Sequence, residues 1–143
     1  MHKAVETSGY ADSNLFEALI SRLDYVIMDI KCMDDEKHRR YVGVSNRLIL
    51  ENYAILRESG IPHTIRIPLI GSVSDSEENL AASAALLEGD KYLERVELLP
   101  YQVTAGAKYR SVAREYSPDF DPVPRGNIGT DMFEKLGIRS IIL

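Results

Sequence analysis

The chain has 143 residues, is 45% hydrophobic and 27% charged, and carries a formal net charge of −5, values that suit one globular domain with a real core. Its acidic balance argues against nucleic acid, whose binding rests on basic patches that neutralise phosphates. No apolar run approaches the roughly 18 residues of a membrane span, and the N-terminus has no apolar signal-peptide core, so the expected location is the cytoplasm and no membrane partner is expected.

Strand-like and helix-like segments alternate along the chain. Residues 3–7 read as a short strand closed by the turn signal Ser8-Gly9. Asp12 or Ser13 can cap a helix with Leu15, Phe16, Leu19, Ile20 and Leu23 on one face at the helical period. Residues 25–30 form a β-branched run with a lone acid inside it. Asp34 can cap a short helix through Tyr41, which Gly43 ends. Ser45 or Asn46 starts a longer helix, with Leu48, Ile49, Tyr53 and Leu56 on its buried side and Gly60 as its stop. Residues 62–69 are the next strand; the loop 71–75 leads to a helix over 76–88, and 95–99 make another strand. Beyond Pro100 the pattern predicts a helix over 107–115, a surface connection over 117–129 rich in proline and glycine, a brief helix near 131–136 and a last strand over 138–143.

Strands joined by helical crossovers imply an α/β fold with a parallel sheet. About four βα units plus a short C-terminal helix and strand fit this length. A full eight-fold barrel needs about 250 residues, which leaves a partial barrel or an open α/β sheet.

Parallel strands covered by helices are expected to be almost wholly apolar. Here polar exceptions recur: Glu6-Thr7 ends the first strand, Asp29 and Lys31 the second, Arg66 lies within the third, and Glu97, then Pro100-Tyr101-Gln102, mark the fourth. Most fall near C-terminal strand ends, the rim where parallel α/β proteins place ligands. Two readings stay open. In one the charges are paired and structural, Glu6 or Asp29 being satisfied by Lys31 or Arg66. In the other they make a binding site, and two acids beside two bases suit a zwitterion such as an amino acid.

One cysteine, Cys32, excludes an internal disulfide, a four-cysteine zinc site and an all-protein iron-sulfur cluster. It reads as a packing or loop residue rather than a nucleophile. His2, His38 and His63 lack metal-ligand spacing and are expected on the surface or satisfied by neighbours. Lys37-His38-Arg39-Arg40, preceded by three acids, reads as a solvated helix face. No GxGxxG, phosphate-binding loop, GxSxG elbow or paired-histidine zinc motif is present.

A series of blocks nonetheless stands out. They are Glu6-Thr7-Ser8-Gly9-Tyr10, Asp29-Ile30-Lys31-Cys32-Met33-Asp34, Tyr41-Val42-Gly43-Val44-Ser45-Asn46 and Leu48-Ile49-Leu50-Glu51-Asn52. Ile65-Arg66-Ile67-Pro68-Leu69-Ile70, Asp75-Ser76-Glu77-Glu78-Asn79 and Glu97-Leu98-Leu99-Pro100-Tyr101 continue them in order. Together they resemble the pyruvate formate-lyase activating enzymes, radical S-adenosylmethionine (SAM) proteins that activate glycyl-radical enzymes. The resemblance covers nearly the whole chain and is loosest after Pro118.

The resemblance implies a partial (β/α)6 barrel, a 4Fe-4S cluster held by a CxxxCxxC loop, and SAM on the open iron. Reductive cleavage of SAM would give a 5′-deoxyadenosyl radical that removes a hydrogen atom from a glycine of the partner, a pyruvate formate-lyase-like enzyme, with flavodoxin or ferredoxin as electron donor in anaerobic metabolism. By resemblance, Glu6 and Thr7 match an acidic-Thr pair near the methionine moiety of SAM, and Asp29 an acid that shares a monovalent-cation site with Glu6. Lys31 matches a lysine on the SAM carboxylate, Arg66 an arginine near SAM and the incoming glycyl loop, and Tyr101 and Gln102 stand beside the adenosine.

Several departures qualify the match. The CxxxCxxC loop and the Gly-Gly-Glu stretch that binds the SAM amino group are absent. Gln102 stands where many relatives have His, Cys32 where relatives often have His, and Gly71-Ser72 replaces the usual Pro-Gly, so a loop of different shape is expected. The chain is therefore expected to be the C-terminal part of an activase, unable by itself to bind the cluster. An open strand edge near Ala4 and Val5 and a bare apolar inner face are expected to invite self-association or a missing N-terminal half. Two further readings are a non-catalytic half-barrel that docks a glycyl-radical enzyme, and a small α/β protein that binds an amino-acid-like ligand at the charged rim.

Overall fold

The computed structural model describes residues 1–101 and 129–143. Gln102, the helix expected over 107–115 and all but the last residue of the connection expected over 117–129 lie outside the described residues. The elements run β1 (Ala4–Thr7), α1 (Ser13–Ile20), β2 (Tyr25–Asp29), α2 (Asp35–Val42), α3 (Arg47–Glu58), β3 (His63–Leu69), α4 (Glu77–Leu87), β4 (Leu93–Pro100), α5 (Thr130–Glu134) and β5 (Ser140–Ile142). Among the described residues no helix is long and apolar enough to cross a membrane.

Local chemistry sets these boundaries. The Asp12 carboxylate accepts from Asn14 N and Leu15 N at the start of α1, Asp34 accepts from Lys37 N at the start of α2, and Ser76 accepts from Asn79 N at the start of α4. Each satisfies amide groups that have no partner within the helix. Gly43, at φ 91, ends α2 in the left-handed conformation that an L side chain resists.

The five strands are parallel and follow chain order, β1-β2-β3-β4-β5, as the wall of a barrel does. Pairing sets Asp29 beside Arg66 and Arg66 beside Glu97. Alternation along each strand then separates two faces. One face carries Val26, Met28, Ile65, Ile67, Leu69, Val96 and Leu98, buried against Phe16 and Ile20 of α1, Ile49, Tyr53 and Leu56 of α3, Leu80, Ala84 and Leu87 of α4, and Phe133 of α5. Each such side chain contributes about 1.5–3 kcal/mol of burial. The opposite face carries Glu6, Tyr25, Asp29, Thr64, Arg66, Arg95 and Glu97.

Four expectations are corrected. The face opposite the helices is charged rather than bare and apolar. Leu15 and Leu19 are 63% and 44% exposed, because α1 lies at the β1 end of the sheet and buries only its Phe16–Ile20 side. Leu48 is half-buried rather than buried. His38 leaves the solvated face: it is buried, its Nδ1 lies 2.7 Å from Val44 O where the chain folds back after Gly43, and its Nε2 has no partner. Arg39 and Arg40 remain exposed as expected.

At the opposite end of the sheet from the charged rim, His63 is satisfied and fully buried, its Nε2 3.0 Å from Asp90 Oδ2 and its Nδ1 2.8 Å from Ile61 O. Tyr53 donates to the same Asp90 oxygen, and burial followed by that carboxylate pushes its phenol far up.

The loop after β3 turns through Ser72 at φ 64, its backbone N–H bonded to Asp75 Oδ1 at 2.9 Å. Serine holds there a conformation that costs an L residue about 1–2 kcal/mol, while glycine adopts it freely at some cost in chain entropy. Ser72→Gly is expected to stabilise the protein by about 0.5–1 kcal/mol. The check is a higher urea midpoint with an unchanged slope; an unchanged midpoint would mean the turn is unstrained.

Candidate functional site

The charged face is organised around Glu97. Its side chain is 4% exposed, and its two oxygens divide between two arginines: Oε2 accepts from Arg66 Nε at 2.7 Å, and Oε1 accepts from Arg95 Nε at 2.8 Å and lies 2.7 Å from Arg95 Nη2. Arg66 reaches across β2 to the edge strand, its Nη1 2.7 Å from Glu6 Oε1. Asp29, beside Arg66 in register, has Lys31 Nζ 4.0 Å from its Oδ2.

These contacts tune one another. Burial pushes the Glu97 carboxyl up, but bonds from Arg66 and then Arg95 overcome it and leave the group below the usual glutamate range. The bond to Glu97, seconded by Glu6, raises the Arg66 guanidinium. Asp29 moves the other way: burial raises it, the Glu6 charge adds to the rise, and Lys31 and Arg66 do not fully offset it.

Of the residues expected at the site, Glu6, Asp29, Lys31 and Arg66 converge at this rim, although Arg66 sits in the middle of β3 rather than at its end. Thr7 turns its hydroxyl to its own loop, where Oγ1 accepts from Gly9 N at 3.1 Å. Tyr101 follows β4 half-buried, its N–H on Leu69 O at 3.2 Å, and Gln102 lies outside the described residues. Sequence reasoning noted the charge of Glu97 but did not count it among the ligand-binding residues, and it overlooked Arg95. The signal was the alternate spacing Arg95-x-Glu97, which places both on one strand face beside Arg66.

Three buried asparagines, also overlooked, fasten the loops at the rim. Asn52 of α3 donates to Gly9 O and Ala11 O, both at 2.8 Å, and so holds the β1–α1 loop. Asn46 donates to Cys32 O and Met33 O at 3.0 and 2.8 Å, holding the β2–α2 loop. Asn79 accepts from Met33 N at 2.7 Å and donates to Ser74 O at 2.9 Å, tying that loop to the one after β3. Asp35 keeps Asn46 in place: its Oδ1 accepts from Ser45 Oγ and Asn46 N, and chiefly the Ser45 bond holds the carboxyl down to about 2.

The ligand set for an iron-sulfur cluster is not found here. Cys32 is buried, its thiol directed at Val73 O at 3.9 Å, and burial pushes it up, away from the thiolate form that binds iron. Among the described residues no three His, Cys, Asp or Glu side chains are grouped to hold a metal ion.

Comparison with known proteins identifies relatives of the chain. The chain is 42% identical over 119 residues to the isethionate sulfite-lyase activating enzyme of Nitratidesulfovibrio vulgaris, covering 80% of this chain and 38% of that protein. It is 40% identical over 118 residues to the trans-4-hydroxy-L-proline dehydratase activating enzyme of Clostridioides difficile, covering 81% and 39%. The chain is a homologue of the glycyl-radical-enzyme activating enzymes. It spans about two fifths of the length of these activating-enzyme relatives. A solved domain of a pyruvate-formate lyase-activating enzyme from Bacteroides vulgatus matches with a TM-score of 0.75 at 25% identity, covering 99% of this chain and 81% of that one. A radical SAM methyltransferase from Sphaerobacter thermophilus, at 18% identity and a TM-score of 0.58, shares the fold. No protein-family model matches the chain. The five-stranded parallel sheet thus corresponds to part of a radical SAM partial barrel, with the charged face as its inner wall.

Two outcomes follow from the charge arrangement. Glu97→Gln leaves two arginines without their shared counter-ion, and is expected to destabilise by about 2–4 kcal/mol, at the lower end because both guanidiniums are partly exposed. Since folding lowers the Glu97 pKa, its contribution is complete above the ordinary glutamate range and is lost as pH falls through the lowered value. Asp29 has the opposite sense: folding raises its pKa, so its contribution is lost as pH rises through the raised value. Asp29→Asn is expected to raise the thermal midpoint at about pH 7 and to give no such gain at about pH 3, where aspartate is largely protonated whether folded or not. Equal gains at both pH values would contradict the burial account.

Proposed function

We propose that this chain is part of a glycyl-radical-enzyme activating enzyme. In the complete protein SAM would lie along the rim formed by Glu6, Thr7, Asp29, Lys31, Arg66 and Tyr101, followed by Gln102, and a pyruvate formate-lyase-like partner would present its glycine there. The observation that carries this reading is the inner wall itself, where Arg66 is held between Glu97 and Glu6 with the Asp29–Lys31 pair beside it. Lys31 and Arg66 can donate to a ligand carboxylate. Asp29 and Glu6 can accept from a ligand ammonium or share a monovalent cation, and a carboxyl already raised by burial and by its acidic neighbour gains from either.

SAM and a 4Fe-4S cluster, when bound in the complete protein, supply the radical chemistry. This chain cannot hold the cluster, because three thiolates are needed and it has one buried cysteine. We therefore read the chain by itself as inactive, as one domain of a cytoplasmic enzyme whose electrons come from flavodoxin or ferredoxin. The outer edge of β1, the end of the sheet order, is the surface through which it would recruit a second chain or further sheet. A strictly monomeric sedimentation profile at all concentrations would argue against that recruitment.

Calorimetric titration with SAM and iron analysis after anaerobic reconstitution test the reading together. The expected result is weak SAM binding that is lost in Arg66→Ala and Lys31→Ala, with less than one iron per chain. About four irons per chain, or SAM affinity indifferent to both substitutions, would overturn it.

A further inference from the structure

Arg66 is held at two points of unlike permanence. Its bonds to Glu97 and Glu6 are equally short, 2.7 Å each, but the acceptors differ in setting. Glu97 is 4% exposed and fixed from its other oxygen by Arg95, whereas Glu6 is 61% exposed on the edge strand β1. A buried carboxylate cannot release its partner without stranding a charge. An exposed one exchanges its partner for water or another anion at little cost.

The charges point the same way. Arg66, Arg95 and Glu97 together carry one net positive charge, with Glu94 acting on Arg95 and Asp29 on Arg66, and Glu6 is the anion in direct contact with a terminal nitrogen of Arg66. Withdrawing Glu6 would leave an anchored guanidinium with its terminal nitrogens open, the two-donor fork that a carboxylate takes in bidentate fashion. Holding Arg66 by Nε alone points that fork along the face toward β1, because Arg66 already spans β2 to reach Glu6.

We propose that Glu97 is the positioning residue of this site and Glu6 its exchangeable placeholder. Glu97 fixes the Arg66 guanidinium through Nε, and Glu6 occupies the terminal fork until a ligand carboxylate displaces it. The inference deepens the proposed function: it rests on that reading for the identity of the ligand and on the geometry for the exchange. Glu97 touches no ligand and acts through Arg66.

Nuclear magnetic resonance of the full 15N-labelled chain tests this, with the Arg66 Nε–Hε signal assigned by its loss in Arg66→Lys and sodium formate as the carboxylate probe. Sodium chloride at equal ionic strength is the control. The Nε–Hε signal is expected to persist in the native chain and in Glu6→Gln, where the buried carboxylate still protects it, and to be lost to solvent exchange in Glu97→Gln. Removing the placeholder should tighten formate binding about two- to fivefold. Removing the anchor should weaken it about tenfold or more. Glu97→Asp, which keeps the charge but shortens the reach, guards against a glutamine variant that fails to fold: it is expected to weaken formate binding while circular dichroism stays native. Formate affinity unchanged in Glu6→Gln, or unchanged in a folded Glu97→Asp, overturns the proposal. SAM titrated in parallel separates the two ideas. Formate exchange without SAM binding removes the activase reading and supports the exchange, whereas SAM binding with no formate exchange overturns the exchange alone.

Discussion

One carboxylate shared by two guanidiniums governs the inner wall of this sheet. Glu97 stands in a strand whose flanking residues, Val96 and Leu98, are buried against helices, and it is tolerable there only because Arg66 and Arg95 reach both of its oxygens. That requirement fixes β3 and β4 in one register, Arg66 opposite Glu97. Slipping by one residue would turn these charges into the layer of Leu80, Leu87 and Phe133 and expose the apolar residues instead. Hydrophobic burial on one face and ion pairing on the other therefore select the same alignment, and the alignment in turn sets Asp29 beside Arg66.

The sheet positions the charges, and the asparagines position the loops above them. A loop that crosses a rim has backbone groups with no ladder to join, and a buried amide side chain can serve two of them at once. Asn46, Asn52 and Asn79 each do so, Asn52 and Asn79 from within helices and Asn46 from the residue before α3. The rim is thus braced from behind. Its open side keeps charged and polar groups that no helix among the described residues covers.

Much of this was legible in the sequence. The alternation of elements, the caps Asp12 and Asp34 and the stop at Gly43 follow from local chemistry, and the parallel sheet follows from the helical crossovers. The acids and bases of the rim were visible as polar breaks in apolar strands. Less visible was which charge would matter most. Glu97 gains its place only through cross-strand register, which no local pattern encodes, and the asparagines act on residues up to 46 positions away. Leu15 and Leu19 misled for a related reason: helical periodicity marks an apolar face but does not say whether the sheet extends far enough to cover it. His38 sat in a run of charges, and only the return of the chain at Val44 gives its ring a buried partner. At Gly71-Ser72 the serine takes the left-handed conformation that glycine favours, which its residue type does not announce.

Gly9 carries a different lesson. It turns the chain out of β1 at φ 69, and a Cβ placed on it would lie 2.2 Å from Met28 Cε. Met28 is fully buried and is the neighbour of Asp29 in the strand, so a larger residue at position 9 would have to displace the end of the Met28 side chain within the core beneath the rim. The room for substitution in this sequence is accordingly uneven: the exposed side of α1 already carries Leu15 and Leu19 against solvent, while a side chain at position 9 would meet both a left-handed backbone and a buried methionine.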